Sequence, residues 1–173
     1  MNFYNKQKPI VLIGMPGSGK TTFGRFLAEK LSCAFVDADR DLEADINMTI
    51  PELFETKGEA LFRELERQKI KDLLMRKDCV IATGGGAIMS DITRERIKKF
   101  GTSIWLDVDL NVLVERVKNQ EDRPLLTNKD AFETLNNLYQ SRKNHYAEAD
   151  FRLKIDKDHS LEDMFEMLKA ELN

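Results

Sequence analysis

The chain has 173 residues, a length that suits one α/β domain with a substantial core and leaves little room for a second. Hydrophobic residues make up 42% and charged residues 33%, and the formal net charge is −3, so no bulk basic field recruits nucleic acid or an anionic membrane. No apolar stretch approaches the ~20 residues of a membrane span, and the polar start, residues 1–8, lacks the hydrophobic region of a signal peptide; a cytosolic protein is expected. With two histidines and two cysteines far apart in sequence, a histidine-based metal cluster, a zinc knuckle and a Ser-His triad all lack material. Cys33 and Cys79 each border an expected buried strand and read as small apolar fillers.

Residues 9–13 form a continuous apolar run, as expected of a parallel strand covered on both faces. Directly after it, Gly14-Met15-Pro16-Gly17-Ser18-Gly19-Lys20-Thr21 fits G-x-x-x-x-G-K-[ST], the phosphate-binding loop of nucleoside triphosphatases and kinases. The glycines let the backbone curl so that successive N–H groups point inward at phosphate oxygens, and the following helix adds its positive end. Lys20 can reach the β- and γ-phosphates, and the Thr21 hydroxyl is the right length to ligate Mg²⁺. Phe23, Phe26, Leu27 and Leu31 recur at helical spacing and predict a helix over residues 21–31.

A short run at residues 34–36 ends in Asp37-Ala38-Asp39 and reads as a second strand. Two carboxylates two apart on a strand share one face, so both can look into the crevice at the strand's carboxyl end; Asp39 can equally cap the helix that follows. Further on, Pro51 opens a segment with Leu53 and Phe54 on its apolar side, Gly58 punctuates, and residues 59–75 predict a long helix. On it, Arg63 and Glu66 stand three apart and can pair. Residues 80–83 predict a third strand, closed by Gly84-Gly85-Gly86, which either lets a backbone approach something closely or makes a loose turn. That strand ends in Thr83 rather than in the usual aspartate, which leaves Asp37 as the carboxylate available to orient a metal.

A helix over residues 93–100, a strand over 103–107 and a helix over 111–117 opened by Asp109 follow. Periodicity then breaks across residues 118–128, which include Arg123-Pro124-Leu125-Leu126. A helix over 131–147 carries Arg142 and Tyr146, residues 151–155 alternate as a fifth strand, and residues 160–172 predict a closing helix. Strands alternating with helices throughout imply a parallel sheet with right-handed crossovers.

Taken together, in order, the phosphate loop, Asp37-Ala38-Asp39, Phe62-Arg63-x-x-Glu66, Gly84-Gly85-Gly86, Arg123-Pro124-Leu125-Leu126 and Arg142-x-x-x-Tyr146 resemble the shikimate kinase family. The resemblance implies ATP-dependent phosphorylation of the 3-hydroxyl of shikimate on the route to chorismate. The implied fold is an α/β domain of the nucleoside monophosphate kinase type, with a five-stranded parallel sheet of order 2-3-1-4-5 flanked by helices. Within the single domain it implies a substrate-binding region at residues 37–68 and a lid at 119–128.

For the nucleotide, the resemblance implies Gly17, Ser18, Gly19, Lys20, Thr21, Thr22, Arg116 and Arg123, with residues 156–160 where the family's adenine loop falls. For shikimate it implies Arg63 and Arg142 on the carboxylate, Asp39 on the hydroxyls, the backbone of Gly84, Gly85 and Gly86, and Phe54 and Phe62 walling the ring. Glu66 would hold Arg63. Thr21 and Asp37 would orient Mg²⁺, and Lys20, Asp39 and Arg123 would carry catalysis. Asn144 stands where the family's Arg-x-Pro-x-Tyr pattern has proline. The expected partners are shikimate and ATP, with no nucleic acid or membrane and a monomeric protein. The alternatives at this stage are another small-molecule kinase of this fold, of the gluconate kinase kind, and a nucleotide-binding regulator without turnover.

Overall fold

A computed structural model of the chain describes residues 7–118 and 131–171. Five strands, β1 (Ile10–Gly14), β2 (Ala34–Asp37), β3 (Cys79–Ala82), β4 (Thr102–Val108) and β5 (Phe151–Ile155), form one parallel sheet in the order β2-β3-β1-β4-β5. The central strand is buried at every position, which is why its sequence is a continuous apolar run rather than an alternating one.

Alternate residues of β1 serve opposite faces. A Cβ on Gly24 of helix α1 (Lys20–Leu31) would lie 3.1 Å from Leu12 Cδ1, whereas one on Gly101 would lie 2.8 Å from Val11 Cγ2 and 3.2 Å from Leu74 Cδ2. Helix α1 therefore covers one face, with α8 (Leu161–Glu171) against it. The other face receives the end of α4 (Glu59–Leu73) together with α5 (Asp91–Phe100). Helix α6 (Leu110–Lys118) packs on α7 (Ala131–Tyr146). A second, smaller apolar cluster of Leu42, Leu53 and Phe62 holds α2 (Ala38–Ile46) and α3 (Ile50–Lys57) to α4. Thr49 and Glu52 start α3 with a reciprocal pair of caps, and Pro51 fits its first turn.

The second strand ends two residues earlier than its sequence suggests. Pairing between β2 and β3 stops at Asp37 opposite Ala82, and the Asp37 side chain then accepts the N–H of Arg40 at 3.4 Å, so Asp37 is the cap and α2 begins at Ala38. Asp39 consequently sits in the first turn of a helix, not on the strand. The stretch from Arg142 to Tyr146 is the last part of α7, as expected, and there Asn144, unlike proline, keeps an N–H for the helical ladder.

Candidate active site

The carboxyl ends of β1, β2 and β3 open into one cleft of about 1060 Å³, where an open parallel sheet leaves room for a ligand. Its floor is the phosphate loop. Gly17 and Gly19 take φ of 82° and 87°, a left-handed backbone that side chains resist, and the chain then turns straight into α1. Lys20 does not face solvent from a loop, as the motif alone suggests; it is the first residue of α1 and only 9% exposed. Its ammonium folds back and donates to the carbonyls of Gly14 and Met15, both at 2.9 Å, and to Ser18 Oγ at 3.3 Å.

Beside it, the Thr21 hydroxyl donates to Asp37 Oδ2 at 2.7 Å, which brings two hard oxygen ligands together at the mouth of the loop. That donor set suits Mg²⁺, an ion usually bound by one or two protein oxygens plus substrate phosphates. Thr22 also lines the cleft, and Arg116 stands on its wall. His159 and Ser160, from the stretch 156–160 expected to form an adenine loop, line the same cleft, as does Leu161.

The triglycine turn after β3 is not loose. A Cβ on Gly84 would lie 3.0 Å from both Asp39 Oδ1 and Glu66 Oε1, one on Gly85 would lie 2.9 Å from Pro16, and one on Gly86 would lie 2.8 Å from the Arg63 guanidinium. None of the three has a positive φ, so crowding is what favours glycine here, most rigidly at Gly85 against the Pro16 ring and backbone, whereas Gly84 and Gly86 meet side-chain ends. Gly84 and Gly85 face the phosphate-loop cleft, whereas Gly86 faces a second cleft of about 400 Å³ lined by Arg63, Arg67 and Arg142. Gly84 thus abuts Asp39 on one side and Glu66 on the other.

These two carboxylates lie within twice 3.0 Å of each other, and both resist ionisation. Burial raises the Asp39 pKa to about 6, the charges of Glu66 and Asp37 add to the rise, and Lys20 opposes it. Burial also raises Glu66, which is 5% exposed, while Arg63, Arg67 and Arg142 pull it back. Glu66 Oε2 takes the Arg63 guanidinium at 2.9 Å; Oε1 has no hydrogen-bond partner among the described residues. Burial acts against the Arg63 charge, but pairing with Glu66 and with Glu59 at 3.1 Å outweighs it.

Phe54 and Phe62 line neither cleft: they pack on each other with centroids 4.7 Å apart, and the Arg63 guanidinium rests 4.9 Å over the Phe62 ring. Arg123 and the expected lid at residues 119–128 lie outside the described residues.

A family model described as shikimate kinase matches residues 16–172. The chain belongs to the shikimate kinase family. A shikimate kinase of Ruegeria pomeroyi is 44% identical over 165 residues, 95% of this chain and 85% of the relative. One from a Sulfurihydrogenibium species is 45% identical over 150 residues, 87% and 89% of the two chains. Among solved structures, the shikimate kinase of Acinetobacter baumannii in complex with shikimate superposes with a TM-score of 0.87 at 34% identity, covering 95% of this chain and 93% of that one. Membership in the family agrees with the fold, whose sheet order is the expected one.

Sequence reasoning missed Arg67, which lines the guanidinium cleft although its only local signal is a helix-surface pairing with Glu64. It also gave no role to Thr83, whose hydroxyl and N–H both bind the Leu12 carbonyl, at 3.0 and 3.2 Å, and so pin the start of the triglycine turn to β1.

Proposed function

We propose that the chain transfers the γ-phosphoryl group of ATP to the 3-hydroxyl of shikimate, giving shikimate 3-phosphate and ADP. The observation that carries this reading is the junction at the triglycine turn. On one side a half-buried carboxylate, Asp39, faces the phosphate loop; on the other, a cleft contains Arg63, Arg67 and Arg142. An acceptor with a hydroxyl at one end of a small ring and a carboxylate at the other matches both halves, because guanidinium forks suit a carboxylate and a carboxylate suits a hydroxyl.

In this reading Arg63 and Arg142 bind the shikimate carboxylate, with Glu66 holding Arg63 and the Phe62 ring, itself packed on Phe54, backing the Arg63 guanidinium. The peptide groups of Gly84, Gly85 and Gly86 contact shikimate, and Asp39 takes its hydroxyls. Gly17, Ser18, Gly19, Lys20, Thr21 and Thr22 cradle the phosphates, and Arg116 stacks on adenine.

As the acceptor oxygen bonds to the γ-phosphorus, the bond to the β–γ bridging oxygen breaks and the hydroxyl proton passes to Asp39. A carboxylate with a pKa of about 6 is ionised at neutral pH yet basic enough for that task. Lys20 and Arg123 offset the charge on the transferring group. Thr21 and Asp37 would hold Mg²⁺, which would supply further charge neutralisation to the phosphates.

In this reading the enzyme acts as a monomer, and ATP as co-substrate suits a cytoplasmic one. Among the described residues no helix is long and apolar enough to cross a membrane. The test is ADP release in a coupled assay with shikimate, gluconate and nucleoside monophosphates as acceptors. Shikimate alone should drive release; equal release with gluconate, or none with any acceptor, overturns the assignment.

A further inference from the structure

The substrate-facing triglycine turn and the helix that carries Arg142 are joined by one hydroxyl. Tyr146, the last residue of α7, is 0% exposed, and its phenol donates to the carbonyl of Gly85 at 2.7 Å, across 61 residues of sequence. Within the turn the carbonyls of Gly84 and Gly86 take the N–H groups of Ala87 and Met89, at 3.2 and 3.0 Å; the Gly85 carbonyl between them takes the phenol. One helical turn before Tyr146, the Arg142 guanidinium lies beside the same hydroxyl, which therefore meets both Arg142 and Gly85.

Beyond its hydroxyl the Tyr146 ring stacks on Trp105 of β4, centroids 5.7 Å apart and 22° from parallel. The Arg152 guanidinium packs on Trp105 at 4.5 Å and is itself tied to Asp107 by bonds of 2.9 and 2.6 Å. This stack fixes the ring from behind, and a phenylalanine would fill the same space. The hydroxyl is thus the part that packing does not explain. Burial pushes its pKa up to about 12, with Arg142 pulling the other way, so it remains an O–H donor at any working pH.

We propose that Tyr146 is a positioning residue for the phosphoryl acceptor: its hydroxyl sets the spacing between the Arg142 guanidinium and the peptide groups of the triglycine turn. Tyr146 lines neither cleft and acts without touching the substrate. Three successive glycines have soft backbones and no side chains of their own to hold them, so a buried donor on the central carbonyl fixes where their N–H groups point. The inference rests on the shikimate reading of the acceptor site.

Tyr146→Phe keeps the stack and removes the hydroxyl. Its shikimate KM should rise about five- to tenfold, as expected for one net hydrogen bond lost to the ground-state complex, with kcat within about twofold and the ATP KM unchanged. The shikimate Kd measured by calorimetry should rise by the same factor. Tyr139→Phe is the control, because it removes a hydroxyl contact to Asp107 at 3.4 Å on the same helix, away from the turn; it should leave the shikimate KM as it was. If the parent protein phosphorylates shikimate and Tyr146→Phe leaves KM and Kd unchanged, or weakens ATP equally, the positioning role is wrong and the substrate assignment stands. If the parent does not phosphorylate shikimate, both are wrong.

Discussion

Replacing Asp39 with asparagine should make the protein more stable while abolishing turnover, and the gain should depend on pH. The folded protein holds the Asp39 proton up to about pH 6, whereas an aspartate in an unstructured chain ordinarily loses it near 3.8. Stability from this group is therefore present in full below about pH 4 and is lost as pH rises toward 6, because ionisation costs more in the folded state than in the unfolded one. Roughly two units correspond to about 3 kcal/mol at pH above 6. Its place in the first turn of α2 favours the anion by up to about 1 kcal/mol, which leaves about 2 kcal/mol for asparagine to recover. For a chain of this size that is a rise in melting temperature of about 4–8 °C. Thermal melts at pH 4 and pH 8, with chelator and without nucleotide, provide the measurement: the two proteins should coincide at pH 4 and separate at pH 8. An asparagine variant no more stable than the parent at pH 8, or a gain equally large at pH 4, refutes the argument that Asp39 is held against its neighbours.

Arg63→Ala should raise the shikimate KM roughly ten- to a hundredfold, the worth of a charge-assisted bidentate contact, with little change for ATP. It should also lower the melting temperature, because Glu66 is left buried without its ion-pair partner. Adding Glu66→Gln should restore the melt but not the KM; recovery of both would make Arg63 a structural partner of Glu66 and nothing more. Lys20→Met should cut turnover at least about a hundredfold and, since it removes the donor to the Gly14 and Met15 carbonyls, should lower the melting temperature by a few degrees as well. Substantial residual turnover would remove Lys20 from the chemistry. Arg123→Ala should lower kcat much more than it raises the shikimate KM, the signature of a group that acts in the transition state; a variant with normal kcat would take Arg123 out of the catalytic set.

Features that depend on one stretch of chain were legible in the sequence. The apolar run of β1, the glycine spacing of the phosphate loop and the alternation of strands with helices carry their own physical signals, and the sheet order followed from the family resemblance they supported. Legibility failed where a residue's state is decided by a distant partner. Asp39 left the strand because β3 ends at Ala82 and Asp37 turned its carboxylate to the backbone, neither of which shows in the local pattern. The burial of Lys20 depends on where two loop carbonyls point. The crowding of Asp39 and Glu66 exists only once α2 and α4 both meet Gly84. Arg67 reads as one more exposed helix charge until α7 closes the other side of its cleft.

The same crowding explains why this corner of the molecule is held from several sides at once. The half-buried Asp39 and the buried Glu66 repel beside Gly84, and Glu66 also has an oxygen without a hydrogen-bond partner among the described residues. An arrangement that relaxes by small movements would separate them. Separation is opposed by Thr83 bonded twice to Leu12, by Tyr146 bonded to Gly85, and by the aromatic stack of Tyr146 on Trp105. All three anchors attach to buried residues of β1 and β4 or to the turn itself, whereas the repelling groups sit on the helices α2 and α4. The rigid sheet thereby keeps Asp39 at the elevated pKa that a proton acceptor near neutral pH requires, at a cost in stability that the asparagine variant is designed to reveal.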